Sequence, residues 1–314
     1  MPDPDPHRFL RDLEAKPATL RALADTIEDM WPAVMDRTST RVVIGMGSSR
    51  YAGSVFATRW QQQGIAAWSE LASAAAGAPP ASGTIAIGVS ASGTTPETVE
   101  ALTRHRGRST TVAITNHPRS PLSEVADLTI PMLAAEETGG VACRTYQHTL
   151  ALLAAMDDAG AASLVRRTAE ATEDLLERRA AWLPAIVDAL ADGPATFTIA
   201  PAERLSSAEQ GALMLREGPR RTADACEAGD WLHVDLYLTK PLDYRALVFA
   251  GSRFEPSIME WMNQRGGRVV AVGGDIDGAV ATVRYRHDDD LDVALLTEVL
   301  VAELVAQAWW SEGR

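Results

Sequence analysis

The chain is short of the residues that build metal centres and covalent frameworks. Cys143 and Cys226 are its only cysteines in 314 residues, too few for a disulfide framework or a zinc cluster, and most simply read as small buried hydrophobes. His7, His105, His117, His148, His233 and His287 are scattered, with no pair at metal-ligand spacing, so neither a metal nor a cofactor is expected. Lysine is confined to Lys16 and Lys240. Positive charge is outweighed to a formal net charge of −13, which repels nucleic acid and anionic lipid and excludes both as partners. No apolar run reaches the roughly 20 residues that cross a bilayer, and the opening "MPDPDPHRFLRDLEAKP" has no signal-peptide core, so a cytoplasmic protein is expected. An anion bound by such a chain has to be held locally, which suits a small phosphorylated metabolite better than a polymer.

What is present is a repeating order of apolar run, small-residue turn and helical stretch. "RVVIGMGSS" leads into "RYAGSVFATRWQQQG", "GTIAIGVSASG" into "TPETVEALTRHRG", and "STTVAITN" into "SPLSEVA". After the helical stretch "LVRRTAEATEDLLERRAAWLPAIVDALADG" the order begins again with "ATFTIAPAE", "ALVFAGSRFEP" and "RVVAVGGD". Strands alternating with helices at this spacing predict α/β architecture: two tandem doubly wound parallel sheets, with binding at the carboxyl ends of the strands. Pro96 and Pro256 fall at matching places, each just inside a helix after a strand and turn, so the chain reads as a duplicated unit. The expected divisions are a helical lead over 1–40, a first domain over 41–160, a connecting helix over 161–191 and a second domain over 192–314.

The turn "VSASGTTPET" sets Ser90, Ser92, Thr94, Thr95 and Thr98 around Gly93. One helix cap needs one hydroxyl. The surplus favours an anion site, in which free amides at a helix start are backed by hydroxyl donors. The matching turn of the second half is crowded by Arg253, Phe254 and Glu255, so phosphate is expected in the first half only.

Taken in order, "DLEAKPATL", "GMGSSRYAG", "SASGTTPETVEAL", "ITNHPRSPLSEVADLTI", "ETGGVACRTY", "QGALMLREG" and "EAGDWLHVD" resemble the double sugar-isomerase (SIS) domain family, and in particular the isomerase half of glucosamine-6-phosphate synthase. The resemblance implies two flavodoxin-like SIS domains and a sugar-phosphate substrate. It places Ser48, Ser49, Ser90, Ser92 and Thr95 on the phosphate, and Glu217 on the base that moves a proton between sugar C1 and C2. It places His233 on the histidine that assists ring opening from a neighbouring subunit, which implies a homodimer whose site is completed across the interface. Glu137 matches a loop glutamate, and Arg144 stands where it could meet enediolate charge.

The chemistry suits these residue types on its own terms. Moving a proton between adjacent carbons needs a carboxylate whose pKa burial can raise, and opening a cyclic sugar needs a group that titrates near neutrality. Against the synthase, Ala91 replaces a glutamine, Met214 a lysine and Gln210 a carboxylate, and its C-terminal lysine has no counterpart. Met1 precedes no cysteine nucleophile, so no glutaminase activity is expected of the chain. An aldose–ketose isomerase, an amino-sugar-phosphate deaminase and a sensor that binds without turnover all stay open. Plainer readings stand beside the site residues: Glu217 as a solvated carboxylate near Arg216, Arg220 and Arg221, His233 as an interface or core histidine, and "HDDDLD" as an acidic helix cap.

Overall fold

The computed structural model describes residues 4–31, 39–157 and 160–313. The chain divides into two compact units. One comprises Ala18–Glu136 and Arg144–Arg166; the other comprises Met1–Pro17, Glu137–Cys143 and Arg167–Arg314.

The first unit is built on β1 (Thr40–Gly45), β2 (Ala67–Leu71), β3 (Thr84–Val89), β4 (Thr110–Thr115) and β5 (Leu128–Pro131), all parallel, in the order β2-β1-β3-β4-β5. Every residue of β3 is buried, which is why "TIAIGV" reads as a continuous apolar run rather than an alternating one. The register sets Val43 beside Ile87 and Ile87 beside Val112. One face of the sheet buries Val42, Ile44 and Ala86 among Leu102 and Leu122 of the crossing helices. Burial of such side chains is worth about 1.5–3 kcal/mol each.

The second unit repeats the plan with β6 (Thr196–Ala200), β7 (Ala223–Glu227), β8 (Arg245–Phe249), β9 (Arg268–Val272) and β10 (Ala281–Val283), again all parallel, in the order β10-β9-β8-β6-β7. Counted along the chain within each unit, both sheets run 2-1-3-4-5. Each sheet therefore has one place where the strand order reverses, between β1 and β3 and between β6 and β8, and an open α/β sheet binds its ligands in that crevice. The core of this unit stacks Phe197 on Tyr244, with ring centroids 3.9 Å apart and planes 10° from parallel.

Two details differ from the sequence reading. The strands β2 and β7 have no counterpart in it, and the long stretch before β6 is two helices, Ala161–Glu177 and Arg179–Ala191, with Pro184 inside the second. No helix among the described residues is long and apolar enough to cross a membrane.

Candidate functional site

The crevice of the first sheet is framed by two helices that start at neighbouring strand ends. The helix Ser48–Gln62 follows β1, and its start is pressed against the strand: a Cβ on Gly45 would lie 2.8 Å from Ser49 Cβ. The helix Pro96–Thr103 follows β3. Neither has a side-chain cap. Gly47 occupies one N-cap position, and Thr95, at the other, makes no cap bond. Its hydroxyl meets the Ser90 hydroxyl instead, at 2.9 Å. A good capping residue is thus diverted, and neither helix start is closed by a side chain, although the Ser49 amide donates to the Met46 carbonyl at 3.1 Å and Pro96 brings no N–H.

The hydroxyl turn is held from below. Ser90 is buried, and its Oγ accepts from the Gly93 amide at 3.1 Å. Ser92, which is exposed, accepts from the Thr94 amide at 3.2 Å and the Thr94 hydroxyl at 2.9 Å. Gly93 has φ 66°, and a Cβ there would fall 2.1 Å from Ser120 Oγ. The Ala91 carbonyl accepts from the Asn116 amide at 3.0 Å and from the Thr115 hydroxyl at 3.2 Å, and the Gly93 carbonyl accepts from the Leu122 amide at 3.0 Å. Gly93→Ala is therefore expected to weaken phosphate binding at least tenfold, because strain at a positive φ and a clash with Ser120 both deform the turn. Titration with inorganic phosphate checks this; unchanged affinity in a folded variant would show that the shape of the turn does not matter.

The loop after β8 differs from the hydroxyl turn in carrying its own carboxylate. Glu255 Oε1 accepts from the Gly251 amide at 2.5 Å and the Ser252 amide at 2.7 Å, while the helix starts at this reversal, Leu205–Glu217 and Glu255–Arg265, are likewise without a side-chain cap. Beneath it, the buried Arg204 guanidinium donates to Glu298 and to the Ala250 carbonyl. Burial pushes the Glu298 carboxyl up to about 7 against the pull of Arg204. The two turns thus differ in what occupies their amides: hydroxyls of Ser90 and Ser92 in the first, the Glu255 carboxylate in the second.

The remaining candidates take these places. Ser48 and Ser49 occupy the first turn of their helix and are partly buried. Glu217 is the last residue of the helix Leu205–Glu217 and is exposed. Desolvation by the protein around it raises its carboxyl pKa, opposed by Arg216, and the negative end of the helix dipole acts in the same direction as desolvation. Of the arginines in the plainer reading, Arg221 is turned away: it donates to the carbonyls of Ala191 and Gly193 and lies over Trp309 at 4.3 Å. No ion pair engages Glu217 among the described residues.

His233 is exposed, just after the short helix Ala228–Trp231, and its amide donates to the Asp230 carbonyl at 2.8 Å. A buried chain of hydrogen bonds anchors this segment, from Trp231 Nε1 to Tyr244 Oη at 2.9 Å and from Tyr244 Oη to Asp235 Oδ2 at 2.8 Å. Val234 and Tyr237, 55% and 64% exposed, flank the histidine in sequence. Glu137 accepts from the Cys143 amide at 2.7 Å. Arg144 is buried and donates to the Glu136 carbonyl at 2.6 Å.

Sequence reasoning missed Asn116, Thr115 and Ser120, which hold the hydroxyl turn, and the Trp231–Tyr244–Asp235 chain. The first group lies at and just beyond the end of β4, which was the available signal. "HDDDLD" is a cap: Asp290 accepts from the amides of Asp292 and Val293 at the start of the helix Leu291–Thr297. Both cysteines are buried, and burial raises the Cys226 thiol to about 12.

Two like-ordered parallel sheets, each with one reversal point, define a tandem α/β protein. Residues 36–156 match the SIS domain, and the two like-ordered parallel sheets have the fold of tandem SIS domains. It is 23% identical over 95% of its length to glutamine–fructose-6-phosphate aminotransferase (isomerizing) of Sulfurisphaera tokodaii, covering 51% of that protein. The chain thus spans about half the length of this curated relative. Among solved structures, the C-terminal domain of glucosamine-fructose-6-phosphate aminotransferase from Francisella tularensis superposes with a TM-score of 0.80 at 16% identity, over 97% of this chain and 96% of that one. Glucosamine-6-phosphate deaminase from Thermotoga maritima gives 0.74 at 15% identity, over 97% and 94%.

Proposed function

We propose that the chain is a phosphosugar isomerase or amino-sugar-phosphate deaminase whose substrate is a phosphorylated hexose or amino-hexose resembling glucosamine 6-phosphate. The observation that carries this reading is the hydroxyl turn at the first strand reversal, whose capping residue Thr95 is bonded to Ser90 beside two helix starts without a side-chain cap. Ser48, Ser49, Ser90, Ser92 and Thr95 hold the phosphate ester. Glu217 takes a proton from one of the sugar carbons C1 and C2 and returns it to the other. Its raised pKa suits a base that must also give the proton back.

His233 moves the proton between ring oxygen and hydroxyl as the sugar opens, acting in the site of a second copy. The exposed Val234, Tyr237 and Leu238 near it support a face that another copy covers in a homodimer. Amides of the hydroxyl turn and Arg144 meet the developing enediolate, and Glu137 sets the loop before it. In a deaminase the same shift leaves an imine at C2, which water hydrolyses to a ketone and ammonia.

The second reading is a sensor that binds sugar phosphate without turnover. It is favoured by Lys16 being fully buried against Glu303, which leaves Lys240 alone for imine or ring-opening chemistry. Incubation with fructose 6-phosphate, glucose 6-phosphate and glucosamine 6-phosphate in deuterated water, followed by NMR at C1 and C2 with an ammonia assay, separates the two. Deuterium entering C1 or C2 is the expected result, and ammonia release would assign the deaminase. Tight binding with no isotope entry for any of the three sugars would leave the sensor.

A further inference from the structure

Directly beyond β5 the chain adopts a strained conformation that the proposed chemistry leaves unexplained. Leu133 and Ala135 have φ values of 53° and 54°, in the left-handed region that favours glycine. Two such residues within three positions persist only where the surroundings over-determine the backbone. Those surroundings are specific. The Met132 amide donates to the Thr115 carbonyl at 2.9 Å, and the Met132 carbonyl lies 2.7 Å from Nδ1 of the buried His148. Arg144 holds the Glu136 carbonyl at the far end.

The centre of the strap, Ala134 and Ala135, is gripped by one side chain. Asn116 Oδ1 accepts from the Ala134 amide at 3.0 Å, and Asn116 Nδ2 donates to the Ala135 carbonyl at 2.6 Å. The same residue reaches the hydroxyl turn through its backbone, since its amide donates to the Ala91 carbonyl between Ser90 and Ser92. Asn116 is thus bonded on one side to the segment expected to close on an anion, and on the other to a segment whose backbone is under strain. Both bonds to the strap are made by the amide group, which no other side chain of this size supplies as donor and acceptor together.

We infer that Asn116 is a positioning residue that couples the hydroxyl turn to the strap 132–136, so that an anion on the turn orders the strap and loss of the strap's grip weakens the anion. This rests on the phosphate reading of the turn. Coupling of this kind is reciprocal, because the two segments share one equilibrium.

Hydrogen exchange of the full chain with and without saturating inorganic phosphate tests it, with peptides covering 90–98 and 132–136 followed separately. In the wild type, phosphate is expected to slow exchange in both. In Asn116→Ala, phosphate should bind about tenfold more weakly and, at saturation, still slow exchange in the turn but not in the strap. Asn116→Asp keeps the acceptor for Ala134 and should restore part of the strap's response. A purely structural role would raise exchange in the strap equally with and without phosphate, which overturns the coupling, as does a wild-type strap indifferent to phosphate while the turn responds. No response in either segment of the wild type overturns the phosphate reading and the coupling together. Should Asn116→Ala fail to fold, Asn116→Asp and the wild-type comparison still decide between these outcomes.

Discussion

Replacing Glu217 by glutamine should abolish deuterium exchange at sugar C1 and C2 by a factor of about 10²–10⁴ while leaving inorganic phosphate binding within about twofold, the range expected when a positioned general base is removed. The residue is exposed and makes no ion pair among the described residues, so the substitution carries little cost in folding, and the effect falls on chemistry. The pH dependence follows from the direction of its shift. Desolvation by the protein around it raises the Glu217 carboxyl, so the basic form is lost as pH falls through a value above the ordinary glutamate range. The acidic limb of the wild-type rate profile should therefore lie above about pH 4.3, and residual activity in the variant should lack that limb. A variant that exchanges deuterium at the wild-type rate would remove Glu217 from the reaction.

The second large effect concerns stability. Lys16 and Glu303 are both fully buried and paired with each other, and Glu303 Oε1 has no hydrogen-bond partner among the described residues. Burial raises the Glu303 carboxyl, and Lys16 pulls it back. Lys16→Met strands a carboxylate in the interior, and breaking a buried pair from one side costs about 3–5 kcal/mol. With Lys16 gone, the folded-state pKa of Glu303 rises further above its unfolded value. The variant should then be most stable at acid pH, where Glu303 is neutral, and lose stability as pH rises through that elevated value. Lys16→Met combined with Glu303→Leu should recover the loss and could exceed the wild type by about 1–4 kcal/mol, since the pair's desolvation is removed with it. Urea unfolding of the wild type and both variants at pH 5 and pH 8 measures this. A single variant within about 1 kcal/mol of the wild type at pH 8 would show that the pair does not hold the fold.

The sequence carried the central strands and lost one edge of each sheet, for a physical reason. The strands β1, β3 and β8 are buried along nearly their whole length and write themselves as apolar runs. By contrast β2, "AWSEL", and β7, "ADACE", are edge strands with little burial and no β-branched residues, so nothing in five residues separates them from loop. They occupy the same place in the two units, so the same weakness of pattern hides both.

The hydroxyl turn was legible because its surplus of Ser and Thr is local. What fixes its shape was not, because Ser120 under Gly93 and Asn116 on Ala91 are contacts between segments more than 20 residues apart. Thr95 shows the limit from the other side: its position predicts a cap, and only its bond to Ser90 reveals that the cap is withheld. For Glu217 the pattern gave the helix end and the resemblance gave the proposed role, whereas the raised carboxyl depends on desolvation by the surrounding protein, which a linear pattern does not encode.

The carboxylate of Glu255, seated on the amides of Gly251 and Ser252, makes the second sheet its own tenant. A tethered group competes with dissolved ions at an effective concentration of order millimolar or more, and it never diffuses away. The amides of Gly251 and Ser252 thereby stay occupied by a group of the chain itself. Thr95, which stands before Pro96 as Glu255 stands before Pro256, turns to Ser90 instead, so a duplicated architecture has given one place two different tasks.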